Sequence, residues 1–102
     1  MFIIPLSNVV TYTHTATDDL KFRLVQADLW LRSANIHVVT NSANYGDTNA
    51  QDATLTTVDV AFFEDFNLAD LYFKNTGAGS NTTIRVVGIK MTDTYKAELG
   101  VL

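Results

Sequence analysis

Alternation with a period of two residues recurs along this chain, and it limits the fold more than any other feature. Between Thr82 and Thr92, Ile84, Val86 and Gly88 fall on one side, against Arg85, Val87, Ile89 and Met91 on the other. Near the N-terminus, Val10, Tyr12 and His14 alternate with Val9, Thr11 and Thr13. Successive side chains of an extended chain point to opposite faces, so this spacing predicts strands and excludes helices in both places. Composition agrees. Glu occurs twice (Glu64, Glu98) and Lys four times (Lys21, Lys74, Lys90, Lys96), so residues that favour helix surfaces are scarce while Thr and Asn are plentiful.

The intervening segments predict further strands. Phe22 to Arg32 reads as one, with Val25, Ala27, Leu29 and Leu31 on one face and Leu24, Gln26, Asp28, Trp30 and Arg32 on the other. Ser33-Ala34-Asn35 reads as a turn into a second arm, Ile36 to Thr40, giving a hairpin. Asn41 to Asp52 is the longest polar stretch and reads as a loop. From Thr54 to Glu64 the strand signal returns, with Val58, Val60 and Phe62 set against Thr57, Asp59 and Ala61. Glu64 to Asp70 predicts a turn or a single helical turn capped by Asn67. Leu71 to Lys74 is a short strand, Asn75 to Asn81 a glycine-containing turn, and Asp93 to Leu102 a short helix or an extended end. With about seven or eight strands separated by turn signals, the expectation is an all-β antiparallel β-sandwich, jelly-roll-like, in a single domain spanning 1–102.

At 102 residues, 47% of them hydrophobic, the chain can bury one core. Acidic and basic residues are mixed, with a net charge of −4, and no basic stripe is present to grip a phosphate backbone. Nucleic acid is therefore not an expected partner. No run approaches the ~20 apolar residues of a membrane span, so no membrane partner is expected either. The opening Met1 to Leu6 lacks the basic and small-residue flanks of a signal peptide, and the chain reads as soluble and made without a cleaved leader. The absence of Cys removes thiolate nucleophiles and Cys-type metal sites.

No grouping announces catalysis. His14 and His37 lie in separate strands with no spacing that requires them to meet. Asp47 to Asp52 begins like a calcium loop, but the pattern's glycine and bidentate Glu positions hold Asp52 and Val58. None of Ser7, Ser33, Ser42 or Ser80 sits in a Gly-x-Ser-x-Gly elbow. The glycines after Asn75 are not followed by the Lys of a phosphate-binding loop. Asp28, Asp59, Glu64 and Asp65 are the acids from which a glycosidase pair would have to be drawn. The expectation is a non-enzyme with no cofactor and no metal. Asn81-Thr82-Thr83 fits a glycosylation pattern and more simply opens a strand. Trp30, Tyr45 and Tyr72 could build a sugar-binding platform, with Asp47 and Asn49 from the polar loop beside Tyr45. Trp30 is placed in the core or at a subunit boundary.

Residues 1–8 form an apolar arm. Phe2, Ile3, Ile4 and Leu6 are too hydrophobic to stay in water, each gaining about 1.5–3 kcal/mol on burial, and Pro5 keeps them out of a helix. Packing on the parent sheet and exchange with a neighbouring subunit both satisfy them. Val101 and Leu102 raise the same question at the other end. The candidate interface is therefore Phe2, Ile3, Ile4, Leu6, Trp30, Tyr45, Val101 and Leu102.

The stretch Phe66 to Gly88, with Leu68-Ala69-Asp70-Leu71-Tyr72, the Gly77-Ala78-Gly79 turn and the closing strand Thr82-Thr83-Ile84-Arg85-Val86-Val87, resembles small β-sandwich virion proteins of tailed bacteriophages, as does the upstream Ala43-Asn44-Tyr45-Gly46-Asp47 loop. That resemblance implies a capsid decoration (cement) protein that stabilises the shell, or a neck or tail component. It also implies a homo-oligomer, trimeric for preference, with the major capsid protein or another virion protein as partner and the virion as location. A carbohydrate-binding sandwich is the alternative.

Overall fold

A computed structural model describes residues 8–76 and 81–102. Seven strands run in the order β1 (Val9–Ala16), β2 (Trp30–Thr40), β3 (Ala43–Gly46), β4 (Ala53–Leu55), β5 (Val60–Asn67), β6 (Tyr72–Asn75) and β7 (Thr82–Lys90), followed by one short helix, α1 (Asp93–Leu99). All pairings are antiparallel. One sheet has the order β1-β7-β2-β5 and the other β4-β3-β6. A single bridge, Phe22 to Phe73, adds one residue pair to the free side of β6, with both amide–carbonyl bonds at 2.9 Å.

The two sheets enclose a core of Leu31, Ala34, Ile36, Val38, Ala43, Leu55, Leu68, Leu71, Phe73, Ile84 and Val86. β1 and β7 alternate as their sequences require: Ile84, Val86 and Gly88 are buried while Arg85 and Val87 are exposed, and Val10 and Tyr12 are half-buried between exposed Val9, Thr11 and Thr13.

Elsewhere the structure departs from the expected elements, and each departure has a physical cause. Ser33-Ala34-Asn35 is not a turn. β2 runs straight through it, and the register against β7 shifts between Leu31 and Ser33, a β-bulge. The bulge places Leu31 and Ala34, three residues apart, on the same inner face, which erases the parity that marks a continuous strand. Phe22 to Leu29 forms no ladder beyond the Phe22 bridge, although Phe22, Leu24, Val25 and Leu29 pack against the core. The polar stretch Asn41–Asp52 contains β3, whose Ala43 is buried.

In β5 the phase is opposite to the expected one. Ala61 and Phe63 turn inward, while Val60 and Phe62 are 55% and 57% exposed. Four successive apolar residues carry no phase of their own. The predicted cap is present: Asn67 accepts from the Ala69 amide and opens the 3-10 turn Leu68–Asp70. The C-terminal segment takes its helical option, capped by Thr92 and closed by Gly100 in the left-handed region (φ 76°). Among the described residues, no helix is long and apolar enough to cross a membrane.

Candidate functional site

At one end of the two sheets a cleft of about 460 Å³ opens between them. Trp30 from the start of β2, Tyr45 and Gly46 from the end of β3, and Phe63 and Phe66 from β5 line it. Leu71 and the carboxylates Asp47, Asp65 and Asp70 line it as well. No residue of β4 lines it. The aromatic rings brace one another. Tyr45 meets Phe63 edge-on at 6.0 Å between centroids, and Phe63 lies 5.3 Å from Phe66. Such tilted contacts suit the ring quadrupoles and add to the area buried.

Asn67 organises the floor. It is 6% exposed. Its side-chain oxygen accepts from the amides of Leu29 (2.9 Å) and Ala69 (3.1 Å), and its nitrogen donates to Asp28 (2.9 Å). The Leu68 amide also donates to the Leu29 carbonyl. The irregular approach to Trp30 is thereby tied to the turn that carries Asp70 and Leu71.

The acidic rim is held by three different devices. Asp47 folds its own loop: its carboxylate accepts from the Asn49 and Ala50 amides at 2.8 and 2.9 Å. Those two bonds hold its carboxyl below the usual range, the Ala50 bond foremost. Gly46 permits this loop, since a Cβ there would stand 2.0 Å from the Ala50 carbonyl oxygen. Asp65 adopts a left-handed backbone (φ 51°) and accepts from the Tyr95 hydroxyl at 2.9 Å. That hydrogen bond pushes the Tyr95 phenol above its ordinary value. Arg32 lies 4.6 Å over the Tyr95 ring and fixes α1 beside the cleft. Asp70 is exposed at the end of its turn.

A second, polar depression of about 530 Å³ lies among Asp19, Asn44, Asn49, Gln51, Asp52 and Lys74. It is larger, but it has no aromatic wall, so a ligand entering it would release little ordered water from apolar surface.

The structure brings together two residues of the candidate interface, Trp30 and Tyr45, in one cleft. Trp30 is half-buried there, neither deep in the core nor free. Tyr72 is elsewhere, under Lys21 and Arg23 at 5.4 and 5.5 Å. Val101 is half-buried and Leu102 exposed beyond α1. Phe2, Ile3, Ile4 and Leu6 lie outside the described residues. The His14 ring lies tilted against Phe22 at 4.6 Å, toward the second sheet, whereas His37 sits between inward Ile36 and Val38 and faces the other way. Among the described residues, no group of three His, Cys, Asp or Glu is placed to hold a metal ion. Asp28, Asp59 and Asp65 bond to Asn67, Thr56 and Tyr95 respectively. Sequence reasoning did not single out Phe63, Phe66 and Asp70 for this site. Phe63 and Phe66 are three apart, a spacing that fits one strand face only if the strand is kinked, as it is at Asp65.

No family model and no curated protein matches the chain. Solved structures do. An RmlC-like cupin family protein with a double-stranded β-helix fold from Methanocaldococcus jannaschii superposes with a TM-score of 0.59 at 5% identity, over 90% of this chain and 75% of that one. An uncharacterized conserved protein with a double-stranded β-helix domain from Klebsiella pneumoniae gives 0.57 at 13% identity, over 85% and 71%. ToxT from Vibrio cholerae, bound to (E)-4-(8-methylnaphthalen-1-yl)but-3-enoic acid, gives 0.53 at 9% identity, over 91% of this chain and 34% of ToxT.

The chain therefore has a cupin-like, all-β antiparallel fold. These neighbours overturn the expected kinship with tailed-phage virion proteins, and with it the decoration, neck and tail roles. The motif behind that kinship, Phe66 to Gly88, includes the Asn67 cap and the strands β6 and β7. An unrelated two-sheet β fold needs the same residues there.

Proposed function

We propose that this chain is a non-enzymatic binding module whose aromatic cleft takes a small organic cation with a flat apolar body. One observation carries the reading. The walls are Trp30, Tyr45, Phe63, Phe66 and Leu71, while every charged side chain that lines the cleft is a carboxylate: Asp47, Asp65 and Asp70. A volume of about 460 Å³ falls in the range of small-molecule sites, ~300–1,000 Å³. Aromatic faces attract cations by about 0.5–2 kcal/mol each, more as water is excluded. An anion would meet three like charges. ToxT was solved with a flat aromatic carboxylic acid, and the acidic rim argues for the opposite ligand charge in this chain.

The strand order supports a finer description of the scaffold, a jelly roll of two four-membered sheets. One is β1-β7-β2-β5, and the other is Phe22, β6, β3 and β4 in that order. The eighth strand has shrunk to the single Phe22 pair. In a jelly roll the cleft is one mouth of the space between the sheets.

Trp30 is the sole tryptophan, so its fluorescence reports on the cleft directly. Titration with benzyltrimethylammonium is expected to change that fluorescence saturably. The affinity should fall with added salt, in the Asp65→Asn/Asp70→Asn double variant and in Phe66→Ala. Benzoate should not compete. A flat titration with the cation, or benzoate binding as tightly, would overturn the assignment. Conversion of a bound ligand, read by mass spectrometry, would overturn its non-enzymatic half.

A further inference from the structure

The outer face of the β1-β7-β2-β5 sheet carries three rows of side chains, set by the strand register. Val9, Ile89, Ser33 and Glu64 form the first, and Thr11, Val87, Asn35 and Phe62 the second. Thr13, Arg85, His37 and Val60 form the third. The face is apolar for an open surface. Val9, Val60, Phe62 and Val87 are 42%, 55%, 57% and 36% exposed. Within these three rows the charged residues are one acid and one strong base, Glu64 and Arg85, while Arg32, next to Ser33, is engaged with the Tyr95 ring. The two are placed symmetrically about Asn35. Glu64 lies one strand over and one row up, Arg85 one strand over and one row down on the other side.

We infer that this face is a self-association surface on which a second copy of the chain packs face to face about a two-fold axis passing by Asn35. Such an axis, perpendicular to the Glu64–Arg85 diagonal, sets Glu64 of one protomer against Arg85 of the partner subunit, and by symmetry does so twice. Phe62, Val60 and Val87 are covered between the two pairs. The charge balance favours this face over others. Each copy carries −4 in total, whereas these three rows hold one charge of each sign, placed so that the axis pairs them. Four strands at ~4.8 Å spacing and about eight residues at ~3.3 Å give roughly 500 Å² in projection, less than the ~800 Å² per partner of a stable interface and in the range of a weak, reversible one.

The inference is independent of the cleft and its ligand. Sedimentation equilibrium on the full chain tests it. A reversible dimer is expected, with Phe62→Asp monomeric. Glu64→Arg and Arg85→Glu should each weaken association at least tenfold, and the double swap should restore it. These positions are exposed in one copy, so at concentrations where the parent is monomeric the variants should unfold close to the parent's temperature. A strict monomer at all concentrations overturns the inference, as does a trimeric mass or a double swap that fails to restore association. A monomer whose β7 and β5 amides exchange faster once residues 1–7 are deleted would assign the face to the chain's own arm, and would equally overturn it.

Discussion

Replacing Asn67 by Ala isolates the device that holds the cleft together. The substitution leaves the Leu29 and Ala69 amides without their acceptor and removes the donor to Asp28. Each lost amide bond costs about 1 kcal/mol net, and more where the stranded N–H stays dry. The Ala69 bond is also the cap of the 3-10 turn, a contact worth about 1 kcal/mol. Asp28 is exposed and is re-solvated, so its share is small. The sum is about 2–4 kcal/mol, a large part of the ~5–15 kcal/mol that holds a domain of this size. In thermal terms it is a drop of roughly 10–25 °C.

Urea unfolding followed by Trp30 fluorescence measures the effect, because Trp30 pairs directly with Asn67. Asn44→Ala supplies the control. Its side chain accepts from Thr54 at an exposed position, where water replaces the bond, and a change within about 0.5 kcal/mol is expected. The reasoning is refuted if Asn67→Ala is as mild as Asn44→Ala.

Gly88→Ala should destabilise by about 1–3 kcal/mol by overpacking, since its Cβ would stand 3.0 Å from both the Leu31 Cδ1 and the Ser33 carbonyl oxygen. A neutral result in urea unfolding would mean the β2 bulge is not fixed there. The Tyr95 phenol is raised above 10 by its bond to Asp65. Its contribution is therefore present below the unfolded value and lost as pH rises through the folded one. An absorbance titration should show one late tyrosine, and Asp65→Asn should remove the delay. Asp47 is depressed by its amide donors, so its loop contact holds above 3.8 and is lost only as pH falls through the lowered value. The Ala50 amide shift should follow that titration, and a shift that moves near pH 6 instead would count against it.

Where one face is buried and the other wet, the sequence carried its phase, as in β1 and β7. Where both faces are apolar it did not. Val60-Ala61-Phe62-Phe63 reads equally well in either register, and only packing against β2 decides that Phe63 points inward. Arg32 posed a different difficulty. A bulge there leaves Ser33-Ala34-Asn35 looking like a turn, because small and polar residues fit an irregular strand as well as a chain reversal. Phe22 to Leu29 has strand-like residues that pack on the core without a ladder. Trp30 and Tyr45 were legible as aromatics with a role, but fifteen positions of sequence separate them. Their meeting depends on the sheet order. The cap at Asn67 was readable because its chemistry is local, while its bonds to Leu29 and Asp28 span almost forty residues and leave no spacing signal.

β5 belongs to both proposed surfaces, and this yields a last prediction. Phe63 and Phe66 face the cleft, Phe62 and Glu64 face outward, and the left-handed Asp65 stands at the kink between them. A ligand that orders Phe63 and Phe66 must order the same backbone that presents Phe62 and Glu64. If the cation binds the cleft and the outer face pairs copies, the two equilibria share that ordering cost, so each should strengthen the other by an equal factor. Sedimentation with and without saturating benzyltrimethylammonium gives one factor, and Trp30 titrations above and below the dimer dissociation constant give the other. The Phe62→Asp monomer should bind the cation with the weaker, low-concentration affinity. Equal affinities for monomer and dimer would show that the kink at Asp65 insulates the two faces, and that β5 serves them as a rigid divider.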